Sequence, residues 1–559
     1  MVTMTRAKFP VLTTANAFLR IRPTQHVRAI GLVLAGLLSL AIYIYAFVQP
    51  YHLARWWSYA QRTIAKITGY DQSVGILYVL AMAALFVLYG YACRAAQGRH
   101  PALTWAIVIL GIIAFNVALL QLYPVDSNDI FDYIIRARMT AYYSANPFYR
   151  VPAEFSTDPF QAYNGWDRIP SAYGPVWELI AAAGAWIGGN AATYRDTLIR
   201  NVLVFKLIAV LGYAGTTLVI GLILRRHAPE RALVGVVLFA WNPLVIYVTA
   251  GNGHNDAVMA FFIALGCYWL LRRRFTLAAL AQTAGALVKF VSILLVPIVV
   301  ITALRQFKTW RERGRYVLVT GTLCGVLVAM AYAPFWQGGD ILGLGRRGEM
   351  FTTSLPAVAR MALEPGLGAR LADHLAAYGG LFLLAAWLIR QLRRVGRSDD
   401  LWTAVRASLS LVLFYLLVSI LWFQWWYVVW PLALAALMPG DVFSRGAMLF
   451  SFAALWKMPV YDFLLMYSPK ATTAAYWEYR ITPATLGVPW VYFAWQAMKA
   501  RLKAYAADLN RWTQRRVVVP VLPRLAQSFQ GHPHRRRRPA VVPVYYRGAR
   551  YKRPSGLRK

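Results

Sequence analysis

Long apolar runs separated by short basic stretches cover most of the chain. A helix that crosses a bilayer needs about 20 mostly apolar residues. Two segments are less regular: the run 275–304 is interrupted by Lys289, which predicts two short helices, and the run 426–438 is short. We therefore predict an all-α polytopic membrane protein with about 14 spans, whose regular apolar runs are 29–48, 73–93, 101–122, 200–224, 231–250, 255–271, 316–336, 374–390, 402–421, 445–463 and 484–500.

Basic residues predict the orientation of these spans. Lys and Arg are retained on the cytoplasmic side, and here they are concentrated in short loops at 225–226, 272–274, 305–315 and 390–397. This orientation puts both chain ends in the cytoplasm, as an N-terminal segment (1–28) and a basic tail (501–559) flanking a transmembrane domain (29–500). The first apolar run is long and lacks a small-residue cleavage site, so we expect an anchor and not a cleaved signal.

The same orientation places residues 123–199 outside the membrane as one long loop. Its apolar piece, 174–189, cannot then cross the bilayer and should form a re-entrant or surface helix. A more polar segment, 51–71, has apolar residues at helical spacing and is predicted to be an amphipathic helix at the interface. Eight of the 22 acidic residues lie between Asp126 and Asp196. A loop that only connects helices does not need this concentration of acids, so we expect function there.

Composition narrows the class of protein further. Apolar residues make up 59% of the chain and charged residues 14%, which excludes disorder, collagen, coiled coil and an ordinary soluble enzyme. The formal net charge is +37, and residues 501–559 hold 16 Lys or Arg against one acid. In a membrane protein this tail is expected to bind anionic lipid, and nucleic acid is the less favoured partner. The three cysteines lie in or beside apolar runs and are interpreted as buried thiols.

The first candidate site follows the third apolar run, where Asp126, Asp129 and Asp132 recur at intervals of three. A helix is predicted from here to about residue 143, so the three carboxylates face broadly one way. Grouped carboxylates deprotonate a hydroxyl or hold a divalent cation. Structural roles are the alternative: Asp126 as an N-cap, Asp129 beside the helix dipole and Asp132 paired with Arg136. Asp129 has the weakest structural explanation and is the first catalytic candidate; Asp132 is kept as a second catalytic candidate and Asp126 as a substrate-binding candidate.

Other candidate substrate-binding residues come from four further motifs. Each motif also has a structural alternative. The Ser-Ala-Tyr-Gly-Pro motif (171–175) could simply form a turn, and the Gly-Asn-Gly-His-Asn-Asp motif (251–256) could cap a helix. The lysine could snorkel to the lipid headgroups, and the aromatic cluster (424–427) could belong to an interface belt. A lysine within an apolar run is costly and therefore suggests function, here neutralisation of a phosphate. The residues are Tyr173, His254, Asn255, Asp256, Lys289, Gln424, Trp425 and Tyr427.

Taken in order, these motifs resemble the GT-C superfamily of integral-membrane glycosyltransferases, and more narrowly the bacterial polyprenyl-phosphate-mannose-dependent alpha-mannosyltransferases. The resemblance covers roughly residues 29–500. It implies a sugar donor on an isoprenoid phosphate, a glycan or glycolipid acceptor outside the cell membrane, and a catalytic acid in the first outer loop at Asp129. Family members often have two adjacent acids there; here Ile130 follows Asp129, so a second acid would be Asp132 or Asp126.

Inverting sugar transfer needs a base at the acceptor hydroxyl and cations or hydrogen-bond donors at the leaving phosphate. The expected function is therefore transfer of a hexose, most simply mannose, with no certain cofactor and a divalent cation as an option. The alternatives are a membrane transporter and a non-catalytic protein of lipid-linked polysaccharide assembly. A transporter would carry its acids in mid-helix within two related halves, and neither feature is apparent in this sequence.

Overall fold

The structure is a computed structural model that describes residues 25–60, 63–338, 341, 350–464 and 474–517. Residues 1–496 form one compact unit, which contains the candidate site, and residues 497–559 are a second unit. Regular structure in the described residues is helical, with two isolated β-bridges. The α-helices are Gln25–Ile42, Leu53–Trp56, Ile64–Ile67, Gln72–Ala95, Ala102–Leu120, Asp129–Tyr143, Pro175–Gly188, Tyr194–His227, Pro229–Ala240, Pro243–Ile246, Asp256–Leu271, Phe275–Ala286, Val296–Gln306, Trp310–Tyr332, Leu355–Leu367, Ala369–Val395, Leu401–Phe414, Val429–Ala435, Val442–Ala454, Lys457–Pro459 and Ala474–Val517.

Seven helices among the described residues are long and apolar enough to cross a membrane. The pair Pro229–Ala240 and Pro243–Gly251, bent by 50°, makes an eighth if it is one span. The all-helical membrane class is thus confirmed, and the total of about 14 spans stays a prediction. Several predicted runs correspond to shorter or broken helices. The seven long helices are Gln25–Val48, Gln72–Ala95, Ala102–Leu120, Tyr194–His227, Trp310–Phe335, Ala369–Val395 and Leu401–Ser419.

Burial separates peripheral spans from central ones. Only 17% of the apolar window of Trp310–Phe335 is buried inside the protein, against 67% for Leu401–Ser419. Broad exposed apolar faces are a liability in water but the normal surface toward lipid. We infer that Trp310–Phe335 lies at the lipid boundary and that Leu401–Ser419 belongs to the core around which the site is built.

The predicted amphipathic helix over 51–71 is wrong as a continuous element. Two one-turn helices, Leu53–Trp56 and Ile64–Ile67, stand in its place, and residues 61–62 lie outside the described part of the chain. The backbone amides of Leu53 and Ile64 donate to the carbonyls of Gln121 and Val125. These hydrogen bonds to a neighbouring segment compete with helical ones, a tertiary effect that helical spacing cannot reveal.

The acidic helix, Asp129–Tyr143, is buried along most of its length, and only its last turn reaches the surface. Every residue from Asp129 to Met139 is buried. Pro175–Gly188, the predicted re-entrant piece, packs beside it: Tyr142 donates to the carbonyl of Ala185 at 2.9 Å. The acidic helix ends at Tyr143, which agrees with the predicted end at about residue 143. Its first turn is therefore held in a fixed position inside the protein.

Candidate active site

The three acids of the first motif have three different environments. The helix begins at Asp129 with Asn128 as the N-cap, so the interpretation of Asp126 as the N-cap is wrong. Asp126 is instead buried before the helix, where Trp425 donates to its Oδ2 at 2.8 Å. Its backbone amide donates to Asn252 Oδ1 at 3.1 Å. These bonds join the acidic motif to two other predicted motifs far away in the sequence.

Asp132 is engaged by Arg136, one helical turn later. The Arg136 Nε lies 2.8 and 2.9 Å from the two carboxylate oxygens, and both side chains are buried. Arg136 also donates through Nη2 to the carbonyls of Trp166 and Ile169. This is the ion pair that the spacing offered as a structural alternative. Its visible effect is to fix the 166–169 segment over the acidic helix, and a catalytic role for Asp132 stays a prediction.

Asp129 differs from its neighbours because part of its carboxylate remains accessible. Its side chain is 12% exposed, and Trp166 donates to its Oδ1 at 3.4 Å. Burial, and next the negative charge of Asp132, raise the pKa of Asp129 from 3.8 to about 6, against the opposing charge of Lys289. A carboxylate with a pKa near the working pH is suited to accept a proton and release it again.

His254 lies between Asp126 and Asp129. Its Nε2 is 3.8 Å from Asp126 Oδ2 and its Nδ1 is 3.8 Å from Asp129 Oδ2, so neither contact is yet a hydrogen bond. The imidazole is 1% exposed and stacks on Trp426, with ring centroids 4.0 Å apart. Burial, and next the charge of Lys289, lower the pKa of His254 well below 6.5. The ring is therefore neutral near pH 7 and keeps one acceptor nitrogen.

Lys289 is held beside this cluster and does not extend into lipid. Its Nζ is 2.8 Å from both carboxylate oxygens of Asp256. The ammonium also lies 4.9 Å from the ring of Tyr427 and 5.7 Å from that of Tyr173, within cation–π range. The break in the helix predicted at Lys289 is present, between Phe275–Ala286 and the 3-10 turn Phe290–Leu295. This geometry argues against snorkelling.

The Tyr-Gly-Pro turn is attached to the backbone that carries Lys289. The amide of Gly174 donates to the carbonyl of Val288 at 3.0 Å, and that of Val176 to the carbonyl of Leu287 at 2.9 Å. A Cβ on Gly174 would lie 2.1 Å from the Leu287 oxygen. Glycine is therefore required by this close approach, and Tyr173 and Lys289 keep a fixed separation.

The aromatic cluster, residues 424–427, forms one side of the site and is held in place by hydrogen bonds and stacking. Gln424 accepts a hydrogen bond from the buried Lys457 at 3.0 Å, so its amide oxygen is engaged in structure. Trp425 donates to Asp126, as described, while Tyr427 stacks on Trp430 with centroids 4.5 Å apart. Trp430 in turn donates to Asp256 at 2.6 Å. The cluster thus touches the acidic motif on one side and the Lys289 pair on the other.

Unpartnered polar atoms mark the centre of the site. Among the described residues, Asp126 Oδ1, both ring nitrogens of His254 and Asn255 Nδ2 are buried without a hydrogen-bond partner. Buried polar groups in proteins are usually satisfied, and an exception needs a reason such as a ligand, water or a catalytic role. Other unpartnered buried atoms, such as Tyr316 Oη, lie elsewhere in the described residues, but these four belong to the predicted motifs and support this cluster as the candidate site. In the described part of the chain, no three His, Cys, Asp or Glu side chains are grouped so as to hold a metal ion.

Three site residues escaped the sequence analysis: Trp166, Arg136 in its loop-anchoring role, and Trp430. Aromatic residues are abundant throughout the chain, so nothing in the sequence distinguishes these two tryptophans, whereas Trp426 lies within the predicted aromatic cluster. Lys206 was also missed, although it lies in an apolar run as Lys289 does. It is fully buried and donates to carbonyls at the end of a helix, at 3.3 Å for that of Leu119. A lysine within an apolar run therefore has a structural role at this position.

Two family models and one curated relative match parts of this chain. A family model described as "Alpha-(1->6)-mannopyranosyltransferase, N-terminal domain" matches residues 28–305, and one described as "Glycosyltransferase family 87" matches residues 197–420. Alpha-(1->6)-mannopyranosyltransferase A of Corynebacterium glutamicum is 22% identical over 217 residues. That similarity covers 38% of this chain and 42% of the relative, so it spans well under half of either protein.

The chain is thus similar to glycosyltransferases, and its long apolar helices agree with the membrane class predicted from the sequence. The first family model and the relative are both described as mannopyranosyltransferases. The predicted resemblance is thereby confirmed. The first match includes the acidic helix, the His254–Asp256 loop and Lys289; the aromatic cluster from Gln424 onward lies beyond both matched ranges.

Proposed function

We propose that this protein transfers a hexose, mannose in the first instance, from a polyprenyl-phosphate donor to a glycan or glycolipid acceptor, with inversion. The observation that carries the proposal is the pattern of exposure in the charged cluster. Asp129 and Lys289 each keep 12% of their side chain accessible, while the side chains of Asp126, His254 and Asp256 are 0–1% exposed. One base and one cation therefore remain available to a substrate, supported by a buried polar layer.

In this mechanism Asp129 is the base. The acceptor hydroxyl lies against its carboxylate, and the oxygen attacks C1 of the donor sugar from the face opposite the phosphate. The bond from the acceptor oxygen to C1 forms as the bond from C1 to the phosphate oxygen breaks, and the hydroxyl proton passes to Asp129. General-base assistance of this kind contributes about 10²–10⁴-fold in rate.

Lys289 serves the leaving group. The donor phosphate is a monoanionic diester, and a second negative charge grows on it as the C1–oxygen bond breaks. A preorganised ammonium stabilises this developing dianion more than the monoanionic ground state. Asp256 fixes the ammonium but also neutralises part of its charge. The tyrosines over which Lys289 lies, Tyr173 and Tyr427, offer hydroxyls and ring faces to the sugar.

Neutral His254 supports the base from behind. Apo hydrogen bonds in active sites are often long and tighten in the substrate complex, and a shift of about 1 Å would bring Nδ1 within hydrogen-bond distance of Asp129. The ring can then donate to the ionised carboxylate. The stacked Trp426 holds the ring in place, and Asp126 faces its other nitrogen. Asp126, Asn255, Gln424 and Trp425 are accordingly proposed to shape the substrate site.

The setting proposed for this reaction is the cell membrane, with both termini in the cytoplasm and the site on the outer face. The distribution of Arg and Lys in short loops supports this orientation. A lipid-linked donor is consistent with an enzyme that is embedded in the bilayer and has no Gly-rich nucleotide-binding motif. The basic tail is proposed to bind anionic lipid on the cytoplasmic surface.

The test is transfer from a radiolabelled polyprenyl-phosphate mannose by the purified protein, compared between wild type and single variants. We expect the loss of turnover to rank Asp129→Asn first, Asp132→Asn second and Asp126→Asn third. Asp167→Asn is the matched control, because Asp167 is an acid of the same loop without a side-chain partner among the described contacts. No transfer by the wild type, or near-normal turnover of Asp129→Asn, would refute the proposal and favour a transporter or a non-catalytic protein.

A further inference from the structure

A cavity lies away from the candidate active site, at the ends of two apolar helices that are long enough to span a membrane. Its volume is about 770 Å³, and it is open to the outside. Trp105, Ala106 and Ile109 line one side, on the first turns of Ala102–Leu120. Arg225, Pro229 and Ala232 line the other, where Tyr194–His227 turns into Pro229–Ala240, and Arg99 and His100 stand at the rim.

Charge at this cavity is strongly one-sided. The segments 94–100 and 225–231 meet here, because the amide of Gly98 donates to the carbonyl of Glu230 at 3.1 Å. Arg28 joins them through a hydrogen bond to the carbonyl of Gln97 at 2.9 Å. Together they carry six arginines and a single acid, Glu230. Arg99 and Arg225 form no ion pair with any described residue.

The cavity wall combines two chemistries. The arginines lie at the helix ends, where the predicted orientation puts the cytoplasmic membrane surface, and the apolar side chains continue along the candidate span Ala102–Leu120. One polar atom, His100 Nδ1, is buried without a partner beside the rim. The positive-inside rule explains the arginines in these loops, but it does not explain a cavity between the helices. The cavity therefore needs a separate explanation.

We propose that this cavity binds the headgroup of an anionic phospholipid, with the acyl chains lying against Trp105 and Ile109. Arginine offers planar, bidentate donors to phosphate oxygens. Basic pockets between transmembrane helices are a recurrent form of anionic-lipid site. The inference is independent of the sugar-transfer reaction, because none of the lining residues belongs to the proposed catalytic machinery.

The test is native mass spectrometry of the full-length protein, exchanged from detergent against cardiolipin or phosphatidylglycerol, with phosphatidylcholine as the neutral reference. We expect retention of the anionic lipids and a fall in affinity of about 10- to 30-fold for the double variant Arg99→Gln/Arg225→Gln. Arg393→Gln/Arg397→Gln is the matched control: it removes two exposed arginines from another predicted cytoplasmic loop and should leave this binding event unchanged.

Two further arms separate the possible outcomes. Ala106→Trp fills the cavity without altering charge, and it should reduce lipid retention while circular dichroism and thermal unfolding remain those of the wild type. Inorganic phosphate at millimolar concentration should compete only weakly, since it lacks acyl chains. The proposal is overturned if both double variants lose lipid equally, if Ala106→Trp binds normally, or if phosphate alone displaces the lipid.

Discussion

Asp129→Asn is the substitution on which the proposed reaction depends most directly. Asparagine keeps the size of the side chain and can still accept the hydrogen bond that Trp166 donates to Asp129. It cannot take up a proton from a hydroxyl. If Asp129 is the base, turnover should fall by about 10²–10⁴-fold, with little change in the affinity for the donor.

The structure also predicts that this inactive variant is more stable than the wild type near neutral pH. Burial, followed by the charge of Asp132, raises the pKa of Asp129 from 3.8 to about 6, which corresponds to a cost of about 3 kcal/mol for keeping the carboxylate ionised. Between these two pKa values the folded protein binds more protons than the unfolded chain, so stability falls as pH rises. The stabilising effect of Asn should be complete above about pH 6 and vanish as pH falls toward 4.

Two measurements check this reasoning. Thermal unfolding in detergent between pH 4 and 8 should show Asp129→Asn above the wild type at high pH, with the difference closing on acidification. The kcat/KM of the wild type should rise with pH through an apparent pKa of about 6 and fall about tenfold per pH unit on the acidic side. Asp167→Asn should change neither profile.

A flat pH profile together with near-normal turnover of Asp129→Asn would refute the assignment of the base. Asp256, the other acid of the cluster that comes from a predicted motif, would then be the next candidate. A variant that is both inactive and less stable at pH 7.5 would also contradict the argument, because it would show that the ionised carboxylate stabilises the fold.

Further predictions concern the cation, the turn and the membrane orientation. Lys289→Met should reduce kcat and raise the apparent pKa of the base, because the ammonium lowers the pKa of Asp129. Lys289→Arg should restore part of both effects. An unshifted pH profile for Lys289→Met would show that Lys289 and Asp129 are not close in solution. Gly174→Ala should lower the unfolding temperature and the activity together, since its Cβ would lie 2.1 Å from a carbonyl oxygen; wild-type values would contradict this packing. In intact cells, a cysteine at Arg168 should react with an impermeant maleimide and one at Arg394 should not, and the reverse pattern would invert the proposed topology.

The helical membrane fold was predictable because it depends on local properties. Apolar runs of about 20 residues and basic loops are visible in any window of the sequence. The break at Lys289 and the end of the helix at Tyr143 were likewise set by nearby residues. The prediction that failed has a non-local cause: the 51–71 helix was inferred from local spacing alone, while backbone amides of this segment donate to carbonyls of the 121–125 segment.

The site was predictable as a set of residues but not as an arrangement. Asp126 was interpreted as an N-cap because Asp commonly caps helices, yet its partner, Trp425, lies 299 positions away. The pairing of Asp256 with Lys289 crosses 33 positions and a helix. No periodicity encodes such contacts, and a hydrogen bond between distant side chains becomes visible only when the fold is known.

Asp132 shows how the arrangement changes the meaning of a substitution. Its carboxylate and Arg136 are both buried and form two short contacts, and breaking a buried pair by removing one charge costs on the order of 3–5 kcal/mol. Asp132→Asn should therefore lower the unfolding temperature, unlike Asp129→Asn, and it should loosen the segment that carries Trp166. Its loss of activity should be partly recovered at low temperature or with added anionic lipid, conditions that favour the folded state. A stable Asp132→Asn protein with activity as low as that of Asp129→Asn would instead place Asp132 at the substrate as the second catalytic acid.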